Sequence, residues 1–446
     1  MSLRIKRIFN NLQGSLWFVP AMIVLGLMVL AFVMVWLDRA IGYATAQDIT
    51  FFFGAGPEAT RDMLTTIAST MLTVASVAFS FTIVVFSFAS SQYASRTLHS
   101  FMDDNTNQAV LGTLLGSFVY CLLILRTVRL EAGNEFVPLL SASVALLLAI
   151  IDLGLFILFI HHVAEAIQAY HIIYRVGRAT SRAVNTLFPR HIGGSTGISE
   201  ADTEKLLSSF ATQPVRANGN GYVQAIDTEN MLTLASRHDL IVAQCKGVGR
   251  FVMQGEVVAL VGPAERAQDN VCSHIRGCFI LGPHRTIYQD PQYGVLQLSD
   301  IAIKALSPAI NDPNTAVMAL NELSRVLRQI AHKELPRHVL SDKEGKPRII
   351  AEVPTFEHLV AQAFDQIRRY GMADAIIPAK LLDVIAEIAE EADLESERTV
   401  LREHLTAIVA DADRAIQNPR DRAILNARLI PTMRALQMPD DELKLL

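Results

Sequence analysis

The stretch Met63–Ser95, MLTTIASTMLTVASVAFSFTIVVFSFASSQYAS, contains neither a charged residue nor a histidine. It lies between Asp62 and Arg96. As one helix it would be roughly 50 Å long, which exceeds the ~30 Å hydrocarbon core of a bilayer. The stretch therefore predicts a transmembrane helix that projects from the membrane.

Three further stretches have the same character, with charges only at their ends. They run between Arg7 and Asp38, between Asp104 and Arg126, and between Glu135 and His161, the last interrupted only by Asp152. Each can form a helix of about 20 residues, so the sequence predicts four transmembrane spans. A signal peptide is the competing interpretation of the first stretch. That stretch is too long for the apolar region of a signal peptide, and Asp38-Arg39 follow it.

The composition of the whole chain averages these spans with an ordinary remainder. The 446 residues are 51% hydrophobic and 19% charged, with a net charge of −5. This balance excludes a disordered chain and gives no reason to expect a nucleic-acid partner. The predicted architecture is an α-helical membrane protein with four transmembrane helices and a cytoplasmic α+β region. Its predicted parts are a transmembrane domain at 1–163, a helical extension and linker at 164–221, and an α+β domain at 222–446 with a small β-rich part at 222–262 and a helical remainder.

The ends of span one and the basic residues predict how the chain crosses the membrane. Trp17 and Trp36 lie roughly 28 Å apart on a helix, which matches two interfacial aromatic belts. Lys and Arg are concentrated before span one and after span four. By the positive-inside rule, both termini are predicted to face the cytoplasm. The spans make the lipid bilayer an expected partner.

Hydroxyl residues recur along span two at intervals of seven. The first row is Thr66, Thr73, Ser80 and Ser87, and the second is Ser69, Ser76 and Ser90, broken at Ile83; both rows fall on one helical face. Small hydroxyl residues allow close helix packing in lipid, which is the more common cause of such a stripe. Repeated around a symmetry axis, the same stripe would line a water-filled path. The sequence leaves both interpretations open.

Span three carries a pair of glycines four residues apart, Gly112 and Gly116. Such small residues let two helix backbones approach closely. The pair predicts tight packing of span three, either within the chain or between copies of it.

Span four carries an ionisable residue inside the apolar stretch, Asp152. A charge at the bilayer centre costs at least ~2.5 kcal/mol on insertion scales, so this residue is expected to face the bundle interior, a cavity or a polar partner. His161, His162 and Glu165 follow at the end of the span. A proton or cation relay is the functional interpretation. The simpler one is a neutral or hydrogen-bonded Asp152 with interfacial histidines.

The segment Ala305–Ala316, ALSPAINDPNTA, separates two amphipathic helices expected at roughly 294–307 and 313–331. Asp290 and Asp312 each precede a proline and are predicted N-caps. The loop offers polar groups and turn residues that could hold a ligand at a helix N-terminus. These signature-loop residues are Ser307, Pro308, Asn311, Asp312, Pro313 and Thr315. Ending one helix and starting the next is the plainer role.

Catalytic and cofactor motifs are missing from the sequence, so no catalytic residue, cofactor or metal is expected. The string Cys272-Ser273-His274, with Cys278 and His284, suggests zinc, but its spacings match no standard paired-ligand pattern. The chain carries no phosphate-binding loop, dinucleotide fingerprint or nucleophile elbow.

Several short motifs resemble a known family. They are Ser15–Pro20, Phe79-Ser80, Ser91-Gln92, Asn107-Gln108 with Leu111-Gly112, Phe118–Tyr120, Phe159–His162, Asp300–Ala302 and, most specific, Ala305–Ala316. The chain resembles the bacterial predicted-membrane-protein family known as domain of unknown function 2254. The resemblance covers nearly the whole chain and implies an inner-membrane protein with a cytoplasmic C-terminal part. It implies no activity, since the family has none assigned.

Three functional hypotheses follow from these patterns. The first is a homo-oligomeric ion channel or channel-like transporter that passes an ion or proton along span two, with a cytoplasmic assembly and gating domain. The second is a membrane-anchored sensor or scaffold whose cytoplasmic domain binds a ligand or partner. A membrane enzyme is the least supported, since it would require Asp152 and the histidines to converge on a metal.

Overall fold

The computed structural model describes residues 17–41, 57–92, 105–129, 136–166, 168–187, 208–332 and 339–439. The chain divides into two compact units, with the division between His171 and Ile172. Within the described residues, four helices are long and apolar enough to cross a membrane, as the charge-free stretches predicted. The predicted combination of four membrane helices with an α+β region is confirmed.

The N-terminal unit is a bundle of these four helices. They are α1 (Phe18–Ile41), α2 (Pro57–Gln92), α3 (Asn105–Leu125) and α4 (Leu139–Ala166). Helix α3 contacts all three others and is the most buried of them. Its side chains Leu114, Tyr120 and Ile124 are fully buried, and Leu64 of α2 packs into the same core.

The two glycines of α3 pack against α1 of the same chain. A Cβ atom added at Gly112 would lie 2.8 Å from the Cα atom of Pro20, and one at Gly116 would overlap the side chain of Leu27. The backbone of Pro20 cannot move aside without shifting α1. The predicted close packing of span three is therefore confirmed, and it lies within the chain.

The C-terminal unit contains two small sheets. The strands are β1 (Gln213–Arg216), β2 (Gly221–Ile226), β3 (Ile241–Gln244), β4 (Phe251–Val252), β5 (Val257–Gly262), β6 (Phe279–Gly282), β7 (Val339–Ser341) and β8 (Pro347–Ile350). One sheet has the order β1-β5-β3-β8-β7 and the other β4-β2-β6. All pairs are antiparallel except β3 with β8. Helices α6 (Thr228–Arg237) and α7 (Asp269–Gly277) contribute to the core beneath them.

Helices make up the rest of the C-terminal unit. They are α5 (Ala169–Leu187), α8 (Pro291–Ala305), α9 (Pro313–Ala331), α10 (Phe356–Gly371), α11 (Ile376–Ala389), α12 (Glu395–Ala415) and α13 (Pro419–Ala435). Asp290 and Asp312 cap α8 and α9 as predicted, each accepting a hydrogen bond from the backbone three residues on. Helix α5 packs on α8 and α9, where Thr180 lies against Gly294 and Ser181 bonds Gln329.

The structure differs from the sequence-based expectation in where strands and helices begin and end. Strand β1 lies in the stretch expected to be a linker, while β6, β7 and β8 lie in the stretch expected to be helical. These strands have three or four residues each, which is too short for a clear alternation of apolar and polar side chains. The helix expected to continue from span four is two helices, since α4 ends at Ala166 and α5 begins at Ala169.

The close contact between α1 and α3 predicts how a methyl group added at Gly112 affects the stability of the bundle. Gly112→Ala should lower the stability of the bundle by about 1–3 kcal/mol, the usual cost of overpacking a tight contact. Gly26→Ala on α1 is the matched control, since a Cβ atom there meets nothing within 4 Å. Both changes raise helix propensity equally. Thermal unfolding of the purified chain in detergent measures the difference, and equal midpoints for the two variants would contradict the contact.

Candidate functional site

The hydroxyl residues of span two lie on the outward face of α2. Leu64, Met71, Ala78 and Val85, one heptad row of α2, are buried in the bundle. At about 100° per residue, the hydroxyl rows lie on the opposite side of the helix from this buried row. We call these six exposed residues the hydroxyl face: Thr66, Ser69, Thr73, Ser76, Ser80 and Ser87. The side chain of Ser90, the seventh predicted member, lies outside the described residues.

Four of the six hydroxyls of the hydroxyl face already donate hydrogen bonds within α2. The Thr66, Thr73 and Ser76 hydroxyls donate to carbonyl oxygens one turn back in α2, over 2.8 to 2.9 Å. The Ser69 hydroxyl donates to the carbonyl of Thr66. These bonds use the hydroxyl hydrogens and leave oxygen lone pairs pointing outward. The face therefore offers acceptors to water, to a cation or to another helix.

Large apolar side chains border the hydroxyl face on both sides. Leu72 and Phe79 are exposed along one edge, and Val77, Phe81 and Val84 along the other. Lipid-facing positions elsewhere in the bundle, such as those of α4, carry large aliphatic side chains. The outward surface of α2 is thus a polar strip between two apolar edges.

Asp152 is fully buried between α4 and α3. The Ser117 hydroxyl of α3 is the polar group beside its carboxylate and lies near hydrogen-bonding reach, although neither group makes a bond of good geometry among the described residues. Ser117 and Cys121, one turn apart on α3, lie near enough to interact with Asp152 electrostatically. A carboxyl group in such surroundings is far less costly when protonated. The arrangement favours a neutral Asp152 that binds one proton.

The cluster at the end of span four lies apart from Asp152. His161 Nε2 is 3.2 Å from Glu165 Oε1, and both side chains are exposed. His161 follows Asp152 by nine residues, which on a helix is about 14 Å along the axis and half a turn around it. His162 is half-buried on another side. In the described chain, the structure therefore does not bring Asp152 together with the histidine cluster of the predicted relay.

A second buried carboxylate, Asp38, accepts three hydrogen bonds from the first turn of α4. Its Oδ1 accepts from the backbone N–H of Leu140 at 2.9 Å, and its Oδ2 accepts from the N–H of Ser141 at 3.0 Å and from the Ser141 hydroxyl. Asp38 at the end of α1 thereby caps the first turn of α4. The Tyr120 hydroxyl of α3 donates to the Ser141 carbonyl at 3.0 Å. Sequence patterns could not reveal this cap, because the partners are 102 and 103 positions apart.

In the C-terminal unit, the signature loop bonds mainly to itself. Asp312 Oδ1 accepts from the N–H of Thr315 at 3.1 Å, and its Oδ2 accepts from the Thr315 hydroxyl. Pro313 occupies the first turn of α9, where its missing N–H costs nothing. The carboxylate therefore occupies the helix N-terminus that an anionic ligand would need.

The other side of this loop is a tight turn after α8. The Ser307 hydroxyl donates to the Lys304 carbonyl at 2.7 Å, and the Ser307 carbonyl accepts from the N–H groups of Ile310 and Asn311. Asn311 has a φ of 51°, a left-handed conformation that asparagine tolerates better than most residues. Pro308 is exposed. These contacts account for the loop as a connection between α8 and α9, and ligand binding by it stays a prediction.

Two further carboxyl groups of the C-terminal unit are buried. Asp290 receives two hydrogen bonds from the Arg285 guanidinium, at 2.9 and 3.1 Å. Burial raises the pKa of the Asp290 carboxyl, against the opposing effect of Arg285. Glu397, in the first turn of α12, has no hydrogen bond to either carboxylate oxygen among the described residues. Burial raises its pKa from 4.5 to about 7; the backbone of Leu394 opposes this rise, and nearby Asp393 adds to it.

Of the residues that suggested zinc, Cys272 and His274 lie in α7, Cys278 caps its C-terminus and His284 follows β6. Cys272 Sγ lies 3.6 Å from the Ala267 carbonyl, and Cys278 Sγ lies 3.5 Å from the His274 carbonyl. Burial raises the pKa of the Cys278 thiol to about 12, which opposes the thiolate form that binds metals. In the part of the chain that the structure describes, no three such ligands come together.

The family model described as "Predicted membrane protein (DUF2254)" matches residues 13–387. The chain belongs to this family. It is also similar to an uncharacterized protein of Mycobacterium bovis and to two uncharacterized proteins of Mycobacterium tuberculosis strains, at 29% identity over 435 residues in each case. Those alignments cover 95% of this chain and 81% of each relative. No solved structure matches it.

The two buried carboxyl groups of this DUF2254 bundle should respond oppositely to the same substitution. Asp38→Asn replaces one of two accepting oxygens by a donor facing N–H groups and should cost about 1–3 kcal/mol. Asp152→Asn exchanges a buried carboxyl for a neutral isostere that can keep the contact with Ser117, so stability should stay equal or rise. Thermal unfolding in detergent compares the pair. A bundle that tolerates Asp38→Asn but loses stability with Asp152→Asn would reverse both assignments.

The raised pKa of Glu397 predicts that the stability of the C-terminal unit depends on pH. Its folded-state pKa lies above the unfolded value of 4.5, so the folded state binds the proton more tightly. The resulting stabilisation is complete below pH 4.5 and is lost as the pH rises through about 7. Glu397→Gln should flatten that part of the stability curve and raise the melting temperature at pH 8.

The measurement for Glu397 is thermal denaturation of the full chain followed by circular dichroism at several pH values. Glu403→Gln, at an exposed position of the same helix, is the matched control and should leave the curve unchanged. If Glu397→Gln and Glu403→Gln gave the same curve as the unmodified chain, Glu397 would not titrate in this range.

Proposed function

We propose that the chain forms a homo-oligomeric ion channel or channel-like transporter, with the hydroxyl face of α2 lining a path at the symmetry axis. The permeant species is an ion or a proton. The assembly lies in the inner (plasma) membrane with both termini in the cytoplasm, an orientation that the positions of Lys and Arg favour. In this proposal the C-terminal unit assembles the oligomer and gates it.

The outward direction of the hydroxyl face is the observation that carries this proposal. Six hydroxyl residues occupy the side of α2 opposite the bundle core. In membrane proteins, surfaces of this kind occur at contacts between helices or beside water. Because the opposite side of α2 already packs in its own bundle, contacts of the hydroxyl face involve lipid, water or another protomer. A symmetric assembly places the strip at its axis, where water or the hydroxyls of other protomers can satisfy it.

Asp152 has a separate role in the proposal. Its carboxyl lies between α3 and α4, away from the hydroxyl face, so it does not line the path. We expect it to hold a proton that keeps α3 and α4 in contact. Loss of that proton would leave a buried, unpaired charge and would favour another arrangement of the two helices. His161 and Glu165 form an exposed pair at the end of span four, where they can bind ions near the surface.

The oligomer can be tested by disulfide cross-linking through the hydroxyl face. Cys245 is the exposed one of the four cysteines, so Cys245→Ser gives a suitable background. In that background Thr73→Cys and Ser80→Cys should form dimers on oxidation in membranes, because these positions meet their copies near the axis. Phe81→Cys, one residue on and about 100° around the helix, is the control and should cross-link far less. Equal cross-linking at both positions, or none, would contradict the assembly.

Conduction is tested with the same variants in reconstituted vesicles. A positively charged methanethiosulfonate reagent should block ion flux through the Ser80→Cys protein and leave the Phe81→Cys protein unaffected. Vesicles that pass no ions, although Ser80→Cys cross-links, would make the hydroxyl face a dry packing interface. The membrane-anchored sensor or scaffold would then be the better description.

A further inference from the structure

The membrane bundle contains a cavity of about 970 Å³ between α1, α2 and α3. This volume lies at the upper end of the ~300–1,000 Å³ range of ligand pockets. The cavity is lined by residues of all three helices: Trp17, Pro20, Ala21, Val24, Leu25, Ala75, Ser76, Phe79, Thr82, Ile83, Phe86, Asn107, Gln108, Leu111 and Leu115.

The cavity lies in one half of the membrane. It uses the first third of α1, the later part of α2 and the first half of α3, and these segments meet because α2 runs opposite to the other two helices. Trp17, an exposed residue at the end of span one, marks the membrane interface at this end. The cavity therefore extends from the interface toward the middle of the bilayer, the depth occupied by the headgroup and acyl chains of a lipid in one leaflet.

The polarity of the wall also changes along the cavity. Deeper positions such as Val24, Leu111 and Leu115 are apolar, whereas Asn107 and Gln108 lie together in the first turn of α3. Asn107 is buried, and its Oδ1 atom has no hydrogen-bond partner among the described residues. A buried acceptor in a membrane is costly unless a donor reaches it. A ligand that donates a hydrogen bond would therefore satisfy the buried acceptor at the amide end of the cavity.

We propose that this cavity binds one phospholipid of the ethanolamine type. Its acyl chains lie along the apolar wall, and its ammonium group donates to Asn107 Oδ1. Among the described residues, the lining contains no Asp, Glu, Lys, Arg or His, so this part of the wall favours a ligand without net charge over an anionic lipid. A choline headgroup, which has no N–H donor, would leave Asn107 unsatisfied.

A lipid is favoured over a protein partner by the surroundings of the cavity. The mouth residues Trp17, Leu25 and Ile83 are exposed on the outer surface of the bundle, where lipid is the solvent. Ser76 belongs both to the cavity and to the hydroxyl face. A bound lipid therefore packs against one edge of that face, yet it needs no oligomer and no conducting path.

Lipid retention by the purified full chain tests the proposal. Native mass spectrometry in detergent should show one phosphatidylethanolamine per chain and weaker binding of phosphatidylcholine with identical acyl chains. Asn107→Leu removes the acceptor and should reduce that preference by about tenfold, the factor expected for the loss of one hydrogen bond. Ala21→Trp fills the cavity and should reduce the retention of both lipids.

Gly154→Trp is the matched control for the filled cavity, since it adds the same side chain at an open position of α4 outside the lining. It should leave lipid retention unchanged. Circular dichroism of each variant establishes that it folds. Unchanged retention in a folded Ala21→Trp protein would overturn the proposal, as would equal binding of the two lipids by the unmodified chain.

A second measurement uses the unmodified chain and so does not depend on the folding of variants. Phosphatidylethanolamine with a diazirine in its acyl chain should label peptides that contain Leu25, Phe86 and Leu111 more strongly than those with the exposed Leu147 and Ile157 of α4. Uniform labelling would mean ordinary annular lipid and would overturn the site. This labelling result does not depend on ion flux or on cross-linking, so the lipid-site proposal and the channel proposal can fail separately.

Discussion

The Asp38 carboxylate and the Tyr120 hydroxyl both bond the first turn of α4, and together these bonds join three of the four membrane helices. The first N–H groups of a helix have no partner within it, and hydrocarbon supplies none. Asp38 of α1 satisfies two of them in α4, and its negative charge is favourable at the positive end of the helix dipole. Tyr120 of α3 bonds the carbonyl of the same turn. The ends of α1, α3 and α4 are therefore fixed at one point, and the glycine contact of α3 with α1 continues from there.

The same requirement, that polar groups in a membrane need partners, distinguishes the other polar residues of the bundle. Thr66, Thr73 and Ser76 bond their own helix, so they can face outward without a penalty. Asp152 has no such bond and stays buried, which favours its neutral form. Asn107 is also buried without a partner for its carbonyl oxygen, but it borders a cavity that a ligand can enter. Residues that sequence alone groups as polar thus divide into structural, proton-binding and ligand-binding candidates.

Sequence patterns correctly predicted the features that depend on residues close together in the chain. The absence of charge located all four spans, and Asp290-Pro291 and Asp312-Pro313 located two helix starts, because capping depends on neighbours three residues away. The cap by Asp38 was not predictable, since its partners lie more than a hundred residues along the chain. Strand β8 was missed because its pairing with β3 depends on a segment equally distant in sequence. The heptad pattern placed the hydroxyls on one face of α2, but only the packed bundle reveals that this face points away from the core.

Helix α2 consequently has three different sides. Leu64 and Met71 anchor one side in the bundle, Phe79 and Phe86 border the cavity on the next, and Thr73 and Ser80 lie on the outward side. A change in what fills the cavity alters the support of α2 at one edge of the hydroxyl face, since Ser76 belongs to both surfaces. A rotation of α2 would be opposed by its buried row, because close-packed contacts tolerate little displacement. Lipid occupancy is therefore expected to act on the hydroxyl face by supporting its edge, with the helix keeping its register against α3.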